Sequence, residues 1–197
     1  MNHLPPKKSA LLSTAEKLFT QYGMKRVTVE EICRQSGVSK MTFYKYFRNK
    51  IDIGEQVIDR LMDWGVAEYR KIMVDTGPYS EKIKRFIRFK MKAGDSIGES
   101  FLKEMFNSPY KSIREKIRKR TRDNLEIIKQ DFKEAQDKGW IRSDLKVDFL
   151  IYILNQMSSM ASDENLMRLY DSPKNLVREM ISLFFYGIFP EESPDEN

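Results

Sequence analysis

The sequence predicts an all-α fold: an N-terminal three-helix helix-turn-helix head, joined by a long helix to a larger C-terminal helical domain. Three observations predict it. Apolar residues recur at helical spacing along most of the chain, with no alternating stretch of useful strand length. Residues 27–50, VTVEEICRQSGVSKMTFYKYFRNK, read as two short helices joined by a tight turn. The basic excess is also confined. The net charge is +6, and residues 1–50 hold ten Lys/Arg against three Asp/Glu, leaving 25 against 26 for the remainder. Phosphate neutralisation dominates DNA affinity, so this asymmetry suits a DNA-binding head.

The expected order of elements starts with a disordered tail, residues 1–9, where Pro5 and Pro6 precede Lys7 and Lys8. A helix follows from about Ser9 to Tyr22, with Leu11, Ala15, Leu18 and Tyr22 on one face and Gly23 ending it. Thr28 and Glu31 have the spacing of a capping box for the next helix. Gly37 stands where a left-handed helix end is wanted. Val38 is an apolar plug, and Ser39 is a good N-cap for the second motif helix. In that helix Phe43 and Phe47, four apart, share the core face. Lys40, Met41, Thr42, Tyr44 and Lys45 point elsewhere. A helix-turn-helix offers the start of its second helix to base edges in the major groove. Lys40, Met41, Thr42 and Lys45 are therefore the candidates for reading bases. Thr28, Tyr44, Tyr46 and Lys50 are the candidates for holding phosphates, with Ser39 beside them. Lys50 opposes the dipole of the helix it begins, a cost that a phosphate would offset. Cys33 is read as a small core residue.

These residues resemble the TetR family of bacterial regulators. The resemblance covers residues 10–55 and is carried by Ala15, Leu18, Phe19, Gly23, Thr28, Val29, Ile32, Gly37, Val38, Ser39, Phe43, Tyr44, Tyr46, Phe47 and Lys50. Ile53 stands where leucine is usual. Beyond this stretch only length and helical layout are similar. The resemblance implies repression, a dimer built from the last two helices, and small molecules in the C-terminal domain that act through the fourth helix.

The division expected from these signals is a DNA-binding domain at 1–50 and an effector-binding and dimerisation domain at 51–197. A long helix runs from Asn49 to about Val74 and stops at Gly77-Pro78. Helices follow at about 80–93, 95–107 and 109–138, the last ended by Gly139. Its cluster Lys111–Arg122 sets seven cations against Glu115 and is read mainly as a solvated face. Residues 149–161, FLIYILNQMSSMA, carry no charge, which predicts burial on more than one side. Ser172-Pro173 starts a last helix rich in Leu, Ile and Phe, with more apolar surface than one core requires. Such a surface marks a partner interface, so the last two helices are expected to form a homodimer. Two heads related by a two-fold axis would read a palindromic operator in double-stranded DNA, with half-sites ~34–36 Å apart.

For an effector, Phe101, Met105, Tyr110, Tyr152, Asn155, Gln156 and Met160 are candidate lining residues. Glu104 is read equally as a partner for a cationic ligand and as a surface residue. Asn155, Gln156, Ser158 and Ser159 lie in the uncharged helix and, if buried, need partners. Two readings follow: a repressor released by a small, largely apolar effector, and a constitutive dimeric DNA-binding protein with no effector.

Composition excludes other classes. With 41% hydrophobic and 32% charged residues in 197, the chain is that of a globular protein. No apolar run approaches the ~20 residues of a membrane span. MNHLPPKKSA has no signal-peptide core, and the single cysteine forms no internal disulfide. These features predict a cytoplasmic protein without membrane association. His3 is the only histidine, and no phosphate loop, nucleophile elbow or metal cluster is present. No catalytic residue, metal site or cofactor is expected.

Overall fold

Helix formation begins three residues earlier than the sequence suggests. In the computed structural model, which describes residues 4–160 and 163–188, α1 runs Pro6–Tyr22. Pro6 holds the first helical position, and the Ser9 N–H donates to the Pro5 carbonyl at 2.9 Å. Proline is favourable there because its fixed φ suits the helix and its missing N–H would have no helical partner. The expected disordered tail is thus corrected from Pro6 onward. Residues 1–3 lie outside the described residues.

The following helices are α2 Val29–Ser36, α3 Lys40–Tyr46, α4 Lys50–Met73, α5 Tyr79–Asp95, α6 Glu99–Phe106, α7 Lys111–Asp137, α8 Val147–Met160, α9 Glu164–Met167 and α10 Pro173–Ile188. Among the described residues there is no strand. The α9 turn was not anticipated. Asp163 creates it by accepting from the amides of Asn165 (2.8 Å) and Leu166 (3.0 Å).

The chain packs as two compact units. The first takes residues up to Gly65 together with Ala93–Arg120, and the second takes Val66–Lys92 together with residues from Thr121 on. The expected division at residue 50 falls inside the first unit. Helix α1 and the two short helices α2 and α3 bury too little on their own, and Ile53, Val57 and Ile58 of α4, Phe101 of α6 and Ile113 of α7 complete the core begun by Leu11, Phe19, Ile32, Phe43 and Phe47. The basic cluster of α7 helps to hold this unit. Lys116 pairs with Asp59 at 2.7 Å, Arg120 pairs with Asp59 and Asp63, and the Arg114 guanidinium donates to the Ser108 carbonyl at 2.7 Å. Arg118, Lys119 and Arg122 are exposed, as the solvated-face reading expects.

The second unit has its own core around Ile83, Phe132, Ala135, Ile141 and Leu150, with Phe184 and Phe185 from α10. Its two apolar helices are only half covered. On α8, Leu150 is buried, but Phe149, Tyr152, Asn155 and Met160 are exposed. On α10, Leu183 and Tyr186 are each 77% exposed. Burial of α8 on more than one side is therefore not achieved within one chain. Asn155 faces solvent and needs no internal partner. Ser158 and Ser159 lie outside the described side chains.

The cap predicted at Thr28 is present, with its hydroxyl accepting from the Glu31 amide at 3.1 Å. Thr28→Ala should lower stability by about 1 kcal/mol in a urea titration, and an unchanged midpoint would show that water replaces the cap at no cost.

Candidate nucleic-acid interface

The turn between α2 and α3 has the geometry its sequence demands. Gly37 has φ +67°, a left-handed value that a side chain would strain, and the Val38 amide returns to the Cys33 carbonyl at 3.1 Å. Val38 is buried as the plug. Ser39 caps α3 by accepting from the Thr42 amide at 3.2 Å, and the two hydroxyls meet at 3.0 Å. Phe43 and Phe47 pack at 5.4 Å between ring centroids and are both buried. With this face anchored, the other face of α3 must point outward.

That outward face carries most of the expected contact residues. Met41 is 83% exposed, and Lys40, Tyr44 and Lys45 are exposed beside it. Lys40 is held by an ion pair with Glu30 of α2, and the hydrogen bond in that pair raises its pKa. The Tyr44 ring stands edge-on to Phe43 at 5.3 Å, which fixes its direction. Thr42 and Tyr46 are half-buried, and Tyr46 packs against the core. Thr28 and Ser39 use their hydroxyls as caps, and the Thr42 hydroxyl meets that of Ser39. Their role in the free protein is to set the turn.

Lys50 is placed differently from the sequence reading. Its ammonium donates to the carbonyls of Lys25 (3.2 Å) and Val27 (2.9 Å). These acceptors, rather than a phosphate, offset the unfavourable dipole position in the free protein. Burial lowers its pKa, and the Glu104 carboxylate pulls it back up. The start of α4 is capped by Asn49, which accepts from the Asp52 amide at 2.9 Å, while Asp52 accepts from the Arg48 amide at 2.8 Å.

Glu104 has a role that neither of its sequence readings gave it. Its carboxylate accepts from the amides of Met24 (2.6 Å) and Lys25 (3.1 Å). The loop entering α2 is thus gripped by a carboxylate from α6 on its amides and by Lys50 on its carbonyls. Gly98, one residue before α6, donates its amide to the Thr20 carbonyl at 2.7 Å. A Cβ at Gly98 would stand 2.6 Å from the Gln21 carbonyl oxygen, so only glycine permits this approach. The 79-residue separation between Lys25 and Glu104 explains why no local pattern revealed the contact.

Residues 11–57 match the family model described as bacterial regulatory proteins, tetR family. Within residues 11–57 the chain is therefore similar to the tetR family of regulators. The chain is 24% identical over 138 residues to the HTH-type transcriptional regulator YhgD of Bacillus subtilis, covering 69% of this chain and 72% of that protein. It is 22% identical over 153 residues to the HTH-type transcriptional repressor KstR2 of Mycobacterium tuberculosis, covering 74% of each. The crystal structure of the transcriptional regulator FadR from Bacillus subtilis in complex with stearoyl-CoA is similar with a TM-score of 0.67 at 19% identity, over 92% of this chain and 99% of that one. The chain is a DNA-binding transcriptional regulator.

The expected effector-lining residues are divided between the units. Phe101 is buried in the core of the first unit, with Met105 and Tyr110 packed against that core. Tyr152, Asn155 and Met160 are exposed on α8 in the second unit, and Gln156 is half-buried there. Among the described residues no group of His, Cys, Asp and Glu could hold a metal ion, and no helix is long and apolar enough to cross a membrane.

Proposed function

We propose that the protein is a dimeric repressor that binds a palindromic operator and leaves it when a small, largely apolar effector binds. The observation that carries the reading is the outward face of α3. There Lys40, Met41, Tyr44 and Lys45 stand exposed on a helix whose opposite face is fixed by Phe43 and Phe47. This is the presentation a recognition helix needs.

Dimerisation through α8 and α10 is supported by their uncovered apolar residues, Phe149, Tyr152 and Met160 on one helix and Leu183 and Tyr186 on the other. The FadR structure holds an acyl-CoA, which supports a ligand with an extended apolar part. A coupling of ~1–3 kcal/mol between ligand and operator binding gives 5–150-fold control.

Selection of bound DNA from a random pool tests the reading. A palindrome with half-sites about one helical turn apart is expected, together with a dimer in sedimentation. A single unrepeated site, or a monomer, would refute it. A thermal-shift survey of metabolites that finds no ligand would favour the constitutive alternative.

One contact on α3 has a defined chemistry. Met41 is apolar, exposed and free to meet a thymine methyl, the apolar feature of the major groove. Replacing the contacted thymine by uracil should weaken wild-type binding about fourfold per half-site, the worth of one buried methyl. Met41→Ala should be indifferent to the swap. Equal sensitivity of both proteins at every position would remove Met41 from base reading.

A further inference from the structure

Of the three acids in residues 1–50, Glu16 and Glu31 are half-buried, and Glu30 is exposed. Glu30 lies in the first turn of α2 and forms an ion pair with Lys40 on the outward face of α3. Both side chains keep more than half of their surface open, 63% for Glu30 and 54% for Lys40. The hydrogen bond between them lowers the Glu30 pKa and raises that of Lys40, so both are charged at neutral pH. The carboxylate is held on three sides, because its own backbone amide and the Thr28 hydroxyl also donate to it.

Two ordinary reasons for such a pair fall short. One is stability, to which ion pairs this exposed contribute little. The other is the helix dipole, which favours a carboxylate in the first turn, but Glu31 supplies one in the same turn. Against them stands a penalty. Cations on the protein set the affinity for phosphates, and Glu30 cancels one beside the exposed residues of α3. The pair has no net charge to offer a phosphate. What it offers is a donor beside an acceptor.

That pattern has a complement in the major groove. Guanine presents the acceptors N7 and O6, and its cytosine presents the N4 amino donor. O6 and N4 are hydrogen-bonded to each other within the base pair, so they stand as close together as the ammonium and the carboxylate do. Lys40 has three donors, of which one goes to Glu30 and two are left for N7 and O6. A carboxylate has about four acceptor sites, so Glu30, already taking three donors, has one for the amino group. An A·T pair fits worse, because the adenine amino group would stand where the ammonium needs an acceptor.

We propose that Glu30 is a specificity-determining residue, and that Glu30 and Lys40 act as one unit that reads a G·C base pair in each half-site, Lys40 on guanine N7 and O6 and Glu30 on the cytosine amino group. The proposal rests on the reading of α3 given above and extends it to a residue of α2. Glu30 also holds the flexible lysine stem in one direction before DNA arrives, so less freedom is lost on binding.

The test is a gel-shift titration of the full-length protein at fixed salt, on an operator selected from a random pool and rebuilt with two base analogues. 7-Deazaguanine lacks the N7 acceptor. N4-methylcytosine still pairs with guanine but turns a methyl group, instead of an N–H, toward the major groove. At the G·C pair that is read, each analogue is expected to weaken wild-type binding about tenfold per half-site, the contribution of one hydrogen bond to a charged group. Glu30→Ala should be indifferent to N4-methylcytosine and still respond to 7-deazaguanine. Lys40→Ala should be indifferent to 7-deazaguanine. Affinities are compared as ratios between duplexes on one preparation, so any loss of folded protein cancels. Glu30→Ala should also bind random-sequence DNA more tightly, because a carboxylate is removed from a surface that faces phosphates.

If wild type responds to N4-methylcytosine at no G·C pair of the half-site, or responds no more than Glu30→Ala does, the proposal is overturned. Tighter binding of Glu30→Ala to every duplex, with the response to N4-methylcytosine intact, also overturns it and makes the carboxylate a brake on phosphate binding alone. The reading of α3 fails separately. If Lys40→Ala, Met41→Ala and Tyr44→Ala all select the wild-type operator, α3 reads no bases and the proposal goes with it. A changed selection by Lys40→Ala with none by Glu30→Ala removes Glu30 and keeps α3.

Discussion

Glu104→Ala is expected to destabilise the first unit by about 2–4 kcal/mol and to weaken operator binding with it. The carboxylate takes the amides of Met24 and Lys25, and hydrogen bonds to a charged group contribute about 1.5–3 kcal/mol each. The upper end is not reached because the Lys25 contact is exposed and solvent replaces part of it. Among the described side chains of α6 no other bonds these amides, so the loop before α2 loses its grip from that side. Because this loop carries α2, and α2 carries the turn to α3, the recognition helix should lose its fixed direction. Glu104→Gln keeps the shape and one acceptor oxygen, and should cost about half as much. Urea unfolding followed by a gel-shift titration on the same preparations checks both values. An unchanged midpoint for Glu104→Ala would mean that the loop is held by the core alone, through Met24 and Val27, both of which are buried.

The head was largely legible in the sequence because its determinants are local. Thr28 lies three residues from the amide it caps, Gly37 decides its own φ, and Phe43 and Phe47 find each other across one helical turn. Side chains that bond at long range were not legible. Lys50 looked like a free cation at a helix start, and nothing nearby revealed that the carbonyls 23 and 25 residues earlier would fold back onto it. Glu104 was undecided for the same reason. The packing boundary was also hidden. A cut at residue 50 follows the motif, whereas the core follows the need of α1, α2 and α3 for extra apolar surface, met by Val57, Phe101 and Ile113. In the second unit the uncovered apolar helices were visible as composition.

Lys50→Ala should separate two roles that its position combines. In the free protein its ammonium spends two of three donors on the carbonyls of Lys25 and Val27. Removing it leaves a part-buried carbonyl at Val27 unpaired, at a cost of about 1–3 kcal/mol in folding stability. If that were the whole role, operator affinity would fall only by the fraction of molecules with a disturbed head. The third donor changes the expectation. It is left over for a phosphate, in the segment, residues 1–50, that carries the basic excess, and a phosphate contact has a signature that a structural bond lacks. The slope of log affinity against log salt should flatten by about one unit per half-site when the contact is lost. Lys50→Met keeps the apolar stem and removes the charge, so it should reproduce the change in slope with a smaller loss from lost packing. An unchanged slope in both variants, with reduced stability, would assign Lys50 to the loop alone. Phosphate holding would then fall to Tyr44 and the exposed lysines of α3. Combining Lys50→Ala with Glu104→Ala adds a further reading. Both side chains grip Lys25 from opposite polar groups, and their charges act on each other. The double variant should therefore lose less than the two single losses added together, a coupling of about 0.5–3 kcal/mol for residues that share a partner. Strict additivity would show that the loop has two independent anchors.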